Sequence, residues 1–148
     1  MHSQDLIKPD GRHLTLYSNR PIPDGIVATS PFAEPQHANP HLRWHALRGE
    51  WVAYAAFRQN RTYQPPPQYN PLAPTRDPEH PTEMPAGDYE IAVFDNRFPS
   101  LAPDAHDPPA LTVPSAPANG KCEVVVFTQD PQAALGRLPL ARIELLLE

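Results

Sequence analysis

The sequence has one cysteine and no long apolar run, and these shortages exclude several classes of protein. Cys122 has no second cysteine with which to form an internal disulfide, which excludes a small disulfide-stabilised scaffold. No apolar run approaches the roughly 18 residues of a membrane-spanning helix. The first residues also lack the basic and then apolar pattern of a secretory signal. We therefore expect no membrane partner and a cytoplasmic location.

Positive charge is scarce as well. The 148 residues contain 12 Lys and Arg against 17 Asp and Glu, a formal net charge of -5. Proteins that bind nucleic acids carry a basic surface, so nucleic acid is not an expected partner. Any anionic ligand must instead be held by a few local residues. The length fits one domain of ordinary size.

Proline, by contrast, is abundant, with 22 residues in the chain. Because proline lacks a backbone N–H, residues 65–85 and 99–117 are expected to be extended surface loops. Residues 1–41 predict an irregular N-terminal arm, with a possible hairpin at Asp10-Gly11. Residues 42–148 predict the main domain, incomplete at its C-terminus.

Alternating and β-branched segments predict the strands of that domain. The segment LRWHALRGEWVAYAAF predicts a hairpin that turns at Arg48-Gly49. The segments YEIAVF (89–94) and CEVVVF (122–127) are rich in residues that favour strands, and both predict central strands.

The last segment, LPLARIELLLE, predicts a helix. Its predicted apolar face contains Leu140, Ile143 and Leu147, with Leu146 beside them, and the sequence supplies no visible partner for that face. We therefore expect that another chain covers it, or that the sequence is the front part of a longer protein.

Two arginines follow the predicted hairpin in FRQNRTYQ. Arg58 and Arg61 lie three residues apart, so their guanidinium groups could hold one phosphate or diphosphate together. The alternative is a solvated pair on the surface.

The segment VFDNRFPSL places polar residues between two phenylalanines. Phe94 and Phe98 could enclose a flat base, while the amide of Asn96 pairs with its edge or with a ribose hydroxyl. In the alternative interpretation the phenylalanines belong to the core and Asp95-Asn96 forms a turn.

Taken in order, these segments resemble the N-terminal half of the galactose-1-phosphate uridylyltransferase family, within the histidine-triad superfamily. RGEWVAYAAFRQNRTYQ resembles the family's Gly-x-Trp-Val and Arg-x-x-Arg segments, and VFDNRFPSL resembles its Val-Phe-x-Asn-Asp-Phe-x-x-Leu. GKCEVVVFTQD resembles a third strand of the family. The resemblance extends from Leu42 to the end of the chain.

The resemblance implies an α+β fold, a mostly antiparallel sheet with helices packed on it, histidine-triad-like and truncated to its N-terminal half. It implies a nucleotidyltransferase that moves a uridylyl group between UDP-glucose and a hexose 1-phosphate through a histidine intermediate, in galactose metabolism. The implied partners are a second copy of the chain and the C-terminal half of the enzyme. The implied nucleotide and phosphate-binding residues are Arg58, Arg61, Phe94, Asn96, Arg97 and Phe98, with the arginine segment reaching in from the partner subunit.

Three departures from the family limit what this chain is expected to do. Asn70 and Ala73 stand where the family has two zinc-binding cysteines, and His106 alone cannot hold the ion, so no cofactor is expected. Arg97 stands where the family commonly has Asp. No histidine follows His106, so the family's His-Pro-His-x-Gln nucleophile segment is absent and no catalytic residue is expected in this chain.

These departures keep two alternatives open. One is a noncatalytic module that binds a nucleotide sugar or forms a dimer. The other is a related phosphorylase that transfers an adenylyl group.

Overall fold

The computed structural model describes residues 1–60 and 70–148, except the side chains of 59 and 60. Two compact units are built from interleaved segments. Unit 1 contains Met1–Pro35, Gln64–Phe94 and Val124–Glu148, and unit 2 contains Gln36–Tyr63 and Asp95–Glu123. The sequence-based division of the chain after residue 41 stays a prediction.

The described residues form two sheets, and every strand pair with an assigned register is antiparallel. The strands are β1 (His2–Ile7), β2 (His13–Ser18), β3 (His41–His45), β4 (Glu50–Tyr54), β5 (Ile91–Asp95), β6 (Ser115–Pro117) and β7 (Glu123–Val126). Their orders are β1-β2-β5-β7 and β4-β3-β6. The mostly antiparallel sheet that the sequence predicts is therefore confirmed.

The sheet of unit 1 begins with the hairpin that the sequence predicts at Asp10-Gly11. β1 and β2 pair from His2 opposite Ser18 to Ile7 opposite His13. Gly11 has a φ of 81°, which is the left-handed region that glycine adopts without strain. β2 then pairs with β5, which is a central strand as predicted.

β7 corrects the prediction made from CEVVVF. Within the described residues this strand lies at the end of the four-stranded order, beside β5 only. Val125 is 48% exposed, whereas Val126 packs into the core. A run of β-branched residues favours a strand, but it does not determine which side of that strand is covered.

The core of unit 1 forms against the alternating residues of β2 and β5. Leu14 and Leu16 are fully buried, and they pack with Ala92 and Phe94. The other buried members of this cluster are Ala28, Met84, Tyr89 and Val126. Period-two alternation along β2 and β5 places Leu14, Leu16, Ala92 and Phe94 on one face of the sheet.

The sheet of unit 2 contains the predicted hairpin and one unexpected strand. β3 and β4 pair with Trp44 opposite Trp51, and the turn includes Gly49 with a φ of 67°. β6 lies within residues 99–117, which the sequence predicts as loop, and it pairs with β3. Proline cannot donate a hydrogen bond but can accept one, as Pro114 does from Trp44 N at 2.9 Å. This is why a proline-flanked segment can pair as a strand here.

The C-terminal segment forms the predicted helix, α1 (Leu140–Leu147), and its buried residue is Leu145. Leu140 is 72% exposed and Leu147 is 82% exposed, whereas Leu145 is 4% exposed. Within the described residues, Leu140 and Leu147 of the predicted apolar face are therefore left largely uncovered, as expected from the sequence. Arg142 sets the rotation of the helix, because its guanidinium donates to the carbonyl oxygens of Glu90 at 2.8 Å and Phe127 at 3.3 Å.

The fold prediction also needs a correction in its helices. Within residues 1–60 and 70–148, α1 is one short helix after a series of strands, in place of several helices packed on the sheet. In that same part of the chain, none of the helices combines the length and the apolar character that crossing a membrane requires.

The orientation of α1 gives a first testable prediction. Leu145→Ala is expected to lower the free energy of unfolding by about 2–4 kcal/mol, because it leaves a cavity under the helix. Leu147→Ala is the matched control, and it should change the value by less than about 0.5 kcal/mol. Urea denaturation of the two variants measures both. Equal losses would contradict the observed rotation of the helix.

Candidate functional site

Unit 2 brings together two segments that the sequence singles out as binding elements. Arg58 lies in a short 3-10 helix, Ala56–Asn60, just after β4, and Asn96 to Phe98 follow β5. Arg58 Nη1 donates to the carbonyl oxygen of Phe98 at 2.8 Å. These two residues are 40 positions apart in the chain, so the contact depends on the fold of unit 2.

The loop after β5 is held by Asn96. Its side-chain Oδ1 accepts from Phe98 N at 2.9 Å, and its backbone N donates to the carbonyl oxygen of Cys122 at 2.9 Å. An asparagine that bonds to the backbone two residues on forms an Asx turn. The alternative interpretation of Asp95-Asn96 as a turn is therefore confirmed for Asn96.

The Asn96 amide and the Arg58 guanidinium group can both supply hydrogen-bond donors to a ligand. The Asn96 turn uses the amide oxygen, and the Nδ2 group takes no part in it. Likewise, the Arg58 bond to Phe98 uses one terminal nitrogen of the guanidinium group. An amide NH2 and a guanidinium together can donate to phosphate oxygens, a ribose hydroxyl or a base carbonyl.

The other predicted site residues are placed differently. Arg97 and Phe98 are half-buried in the same loop as Asn96. Arg61 lies outside the described residues. Phe94 lies in unit 1, where its side chain is part of the core and the residue is 3% exposed.

The ring of Phe94 lies beside a group of charged residues that the sequence did not predict. Lys8 Nζ is 4.7 Å from the ring centroid, and Arg12 Cζ is 5.7 Å from it. Both distances are within the range of cation–π attraction.

Those cations belong to a buried charged cluster, which we define as Lys8, Asp10, Arg12 and Glu83. Lys8 Nζ lies 3.0 Å from Glu83 Oε2, and Arg12 Nη2 lies 2.7 Å from the same oxygen. Arg12 also pairs with Asp10 Oδ2 at 2.8 Å. Burial lowers the pKa of Lys8, and the Glu83 carboxylate partly offsets that effect.

Few features of the sequence indicate this cluster. Charges on both sides of Asp10-Gly11 are what an exposed hairpin turn normally carries, and Glu83 is 75 residues from Lys8. The available signal was the concentration of three charged residues between positions 8 and 12.

The residues that the resemblance aligns with zinc ligands do not fit a zinc ion. Asn70 Oδ1 accepts from Leu72 N at 2.9 Å, and Ala73 has no side-chain ligand atom. His106 Nδ1 lies 2.8 Å from the carbonyl oxygen of Asp104. No group of three or more His, Cys, Asp or Glu side chains is arranged to hold a metal within the described ranges.

Comparison with known families identifies the class to which these segments belong. The family described as galactose-1-phosphate uridyl transferase, N-terminal domain, matches residues 30–148. The chain belongs to this family.

Individual relatives agree with the family match. The chain is 37% identical over 112 residues to galactose-1-phosphate uridylyltransferase of Thermotoga maritima, covering 72% of this chain and 33% of that protein. It is 31% identical over 148 residues to the Streptomyces lividans protein of the same name, covering 94% and 34%. The Rattus norvegicus protein is 33% identical over 120 residues, covering 70% and 30%. The chain thus spans about a third of the length of these relatives. No solved structure matches it.

Proposed function

We propose that this chain is the nucleotide-holding N-terminal part of a UDP-glucose–hexose-1-phosphate uridylyltransferase. The proposal includes a histidine-triad-like fold, a homodimer and a cytoplasmic location. The family match and the names of the relatives support the reaction. In this part of the enzyme, residues of unit 2 hold the nucleotide, and a segment outside these 148 residues supplies the nucleophile.

The observation that carries the proposal is the contact between Arg58 and the Asn96 loop. The bond from Arg58 Nη1 to Phe98 O joins the two segments that resemble the family's phosphate and nucleoside elements. The Asx turn fixes the loop, so Asn96 and Arg58 present their donors from ordered backbone. Ordered donors lose little conformational entropy when a ligand binds.

Each residue then has a role set by its chemistry. Arg58 and Arg61 neutralise the diphosphate, Asn96 holds the ribose or the base edge, and Phe98 stacks on the base. Arg97 adds a phosphate contact or changes the sugar or nucleotide preference. The base contact predicted for Phe94 is the least supported, because its side chain lies in the core of unit 1.

The covalent step requires a histidine that this chain does not contain. In the double displacement a histidine nitrogen attacks the α-phosphorus of UDP-glucose, and glucose 1-phosphate leaves. The hexose 1-phosphate then attacks the same phosphorus and releases the histidine. Since no histidine follows His106, the chain alone should take no covalent label from radiolabelled UDP-glucose.

Binding of UDP tests the proposed site directly. Arg58→Gln is expected to weaken UDP binding by about 10- to 100-fold, because a charged hydrogen bond contributes about 1.5–3 kcal/mol. Titration calorimetry measures the dissociation constant. Arg48→Gln is the matched control, because Arg48 is an exposed arginine of the same unit paired with Glu50. Equal affinities for both variants and the parent would contradict the site.

The replacement of the family's two zinc-binding cysteines by Asn70 and Ala73 favours a second candidate, a noncatalytic module that binds a nucleotide sugar. A covalently labelled histidine on the isolated chain would exclude it. The adenylyl-transferring phosphorylase would have a pocket that favours adenine. For that candidate, ADP should compete better than UDP for the site.

A further inference from the structure

We propose that the buried charged cluster replaces a structural metal as the brace of residues 70–85. This inference concerns the chain's own folding and does not depend on the proposed uridylyl transfer. It rests on three observations: the side chains at positions 70 and 73 do not suit zinc, hydrogen bonds close the loop, and the ion pairs that hold the loop are buried.

The neck of the loop is closed by hydrogen bonds rather than by a metal. Thr75 donates to the carbonyl oxygen of Met84 through both its backbone N and its Oγ1, each at 2.8 Å. Thr82 Oγ1 donates to the carbonyl oxygen of Ala73 at 2.6 Å. These bonds join the two arms of the loop around a backbone bridge between Pro74 and Met84.

Glu83 ties this neck to the rest of unit 1. Its backbone N donates to the carbonyl oxygen of Pro71 at 2.9 Å. Its carbonyl oxygen accepts from Lys8 Nζ at 2.6 Å, and its carboxylate pairs with Lys8 and Arg12. Lys8 Nζ also donates to the carbonyl oxygen of Thr29 at 2.6 Å. Three distant segments therefore meet at the Lys8 ammonium group: the β1–β2 turn, Thr29 and the loop.

Because these ion pairs are buried, breaking one of them destabilises the fold. Lys8 is 2% exposed, Asp10 3% and Glu83 7%. Removing one partner of a buried pair leaves an uncompensated charge, which is strongly destabilising. A structural zinc ion stabilises a fold in a comparable way, by joining ligands from separate segments in the native state only. In this chain, the ion pairs among Lys8, Asp10, Arg12 and Glu83 join the separate segments instead.

The hydrogen bonds of Asn70 and Ala73 agree with this assignment. The Asn70 oxygen that could approach a cation is used by Leu72 N, and the Asn70 carbonyl oxygen accepts from Ala73 N at 3.1 Å. These bonds form a closed turn, which needs no ion to hold its shape.

The first test is metal content and its effect on unfolding. Protein purified from zinc-supplemented medium should contain far less than one zinc ion per chain by elemental analysis, and its melting temperature should be the same with and without EDTA. A stoichiometric ion together with a lower melting temperature in EDTA would overturn the proposal.

The second test replaces the cation at the centre of the cluster. Lys8→Met is expected to lower the melting temperature by about 8–15 °C, because it leaves Glu83 without one partner in a buried site. Lys121→Met is the control, since Lys121 is an exposed lysine of unit 2 paired with Glu123, and it should leave the melting temperature unchanged. Equal melting temperatures for the two variants would overturn the proposal.

Hydrogen exchange separates a local brace from a general loss of stability. In Arg12→Met, which removes the second cation that pairs with Glu83, the Thr75 and Glu83 amides should exchange at least tenfold faster. The Trp44 amide of unit 2 should be unchanged. This variant also serves if Lys8→Met does not fold. Unchanged protection at Thr75 and Glu83 would contradict the brace.

Discussion

Replacing Phe94 by alanine is expected to lower the free energy of unfolding by about 3–5 kcal/mol. The side chain is buried with Leu14 and Leu16, and its ring also faces the cations of Lys8 and Arg12. Deleting it therefore leaves a cavity and removes two cation–π contacts from a site that excludes water. Urea denaturation followed by tryptophan fluorescence or circular dichroism measures the loss.

Phe98→Ala is the informative comparison for Phe94→Ala. Phe98 is half-buried in the loop of Asn96, so its deletion should cost about 1–2 kcal/mol of stability. If Phe98 stacks on the base, the same variant should weaken UDP binding by about 10-fold. A Phe94→Ala protein that keeps its stability but loses UDP binding would place Phe94 in the ligand site instead of the core.

Most of the strands were predictable because their signals are local. In β2 the alternation of Leu14 and Leu16 with polar neighbours is visible in the sequence, and it produces the buried face directly. The two turn glycines, Gly11 and Gly49, adopt the positive φ that their positions in short hairpins require. Nothing distant is needed to explain either feature.

The features that were missed depend on residues far apart in the chain. Lys8 and Glu83 look like solvated charges until the fold places them together inside unit 1. The rotation of α1 depends in the same way on the contact of Arg142 with Glu90, 52 residues earlier. A period of 3.6 residues identifies a helix, but the partner of one polar side chain decided which leucines are buried.

The candidate site was predictable in part. Residue chemistry alone left Arg58 as a possible surface cation and Asn96 as a possible turn residue. The structure shows that Asn96 does form the turn, and that Arg58 holds the same loop through Phe98 O. A structural role and a binding role are compatible here, because the turn bond uses the amide oxygen alone.

Arg142→Met is expected to lower the free energy of unfolding by about 3 kcal/mol and to release α1 from unit 1. The guanidinium donates to two carbonyl oxygens, and its Nη2 donates to Glu90 Oε1 at 2.8 Å. Methionine keeps the apolar stem but supplies no donor. Arg137→Met is the control, since Arg137 is exposed just before the helix. Loss of helical ellipticity before global unfolding would appear in Arg142→Met alone.

Lowering the pH should weaken the contact between Arg142 and Glu90. The backbone N–H of Asn19 donates to Glu90 Oε2 at 2.7 Å, and with the Arg142 guanidinium it lowers the pKa of Glu90 below the ordinary 4.5. A carboxyl with a depressed pKa contributes stability that is fully present above its unfolded value and lost as pH falls through its folded value. The parent should therefore lose stability below pH 4.5 more steeply than Glu90→Gln, which should be the less stable protein at pH 7. Parallel curves of melting temperature against pH would show that Glu90 does not supply this acid sensitivity.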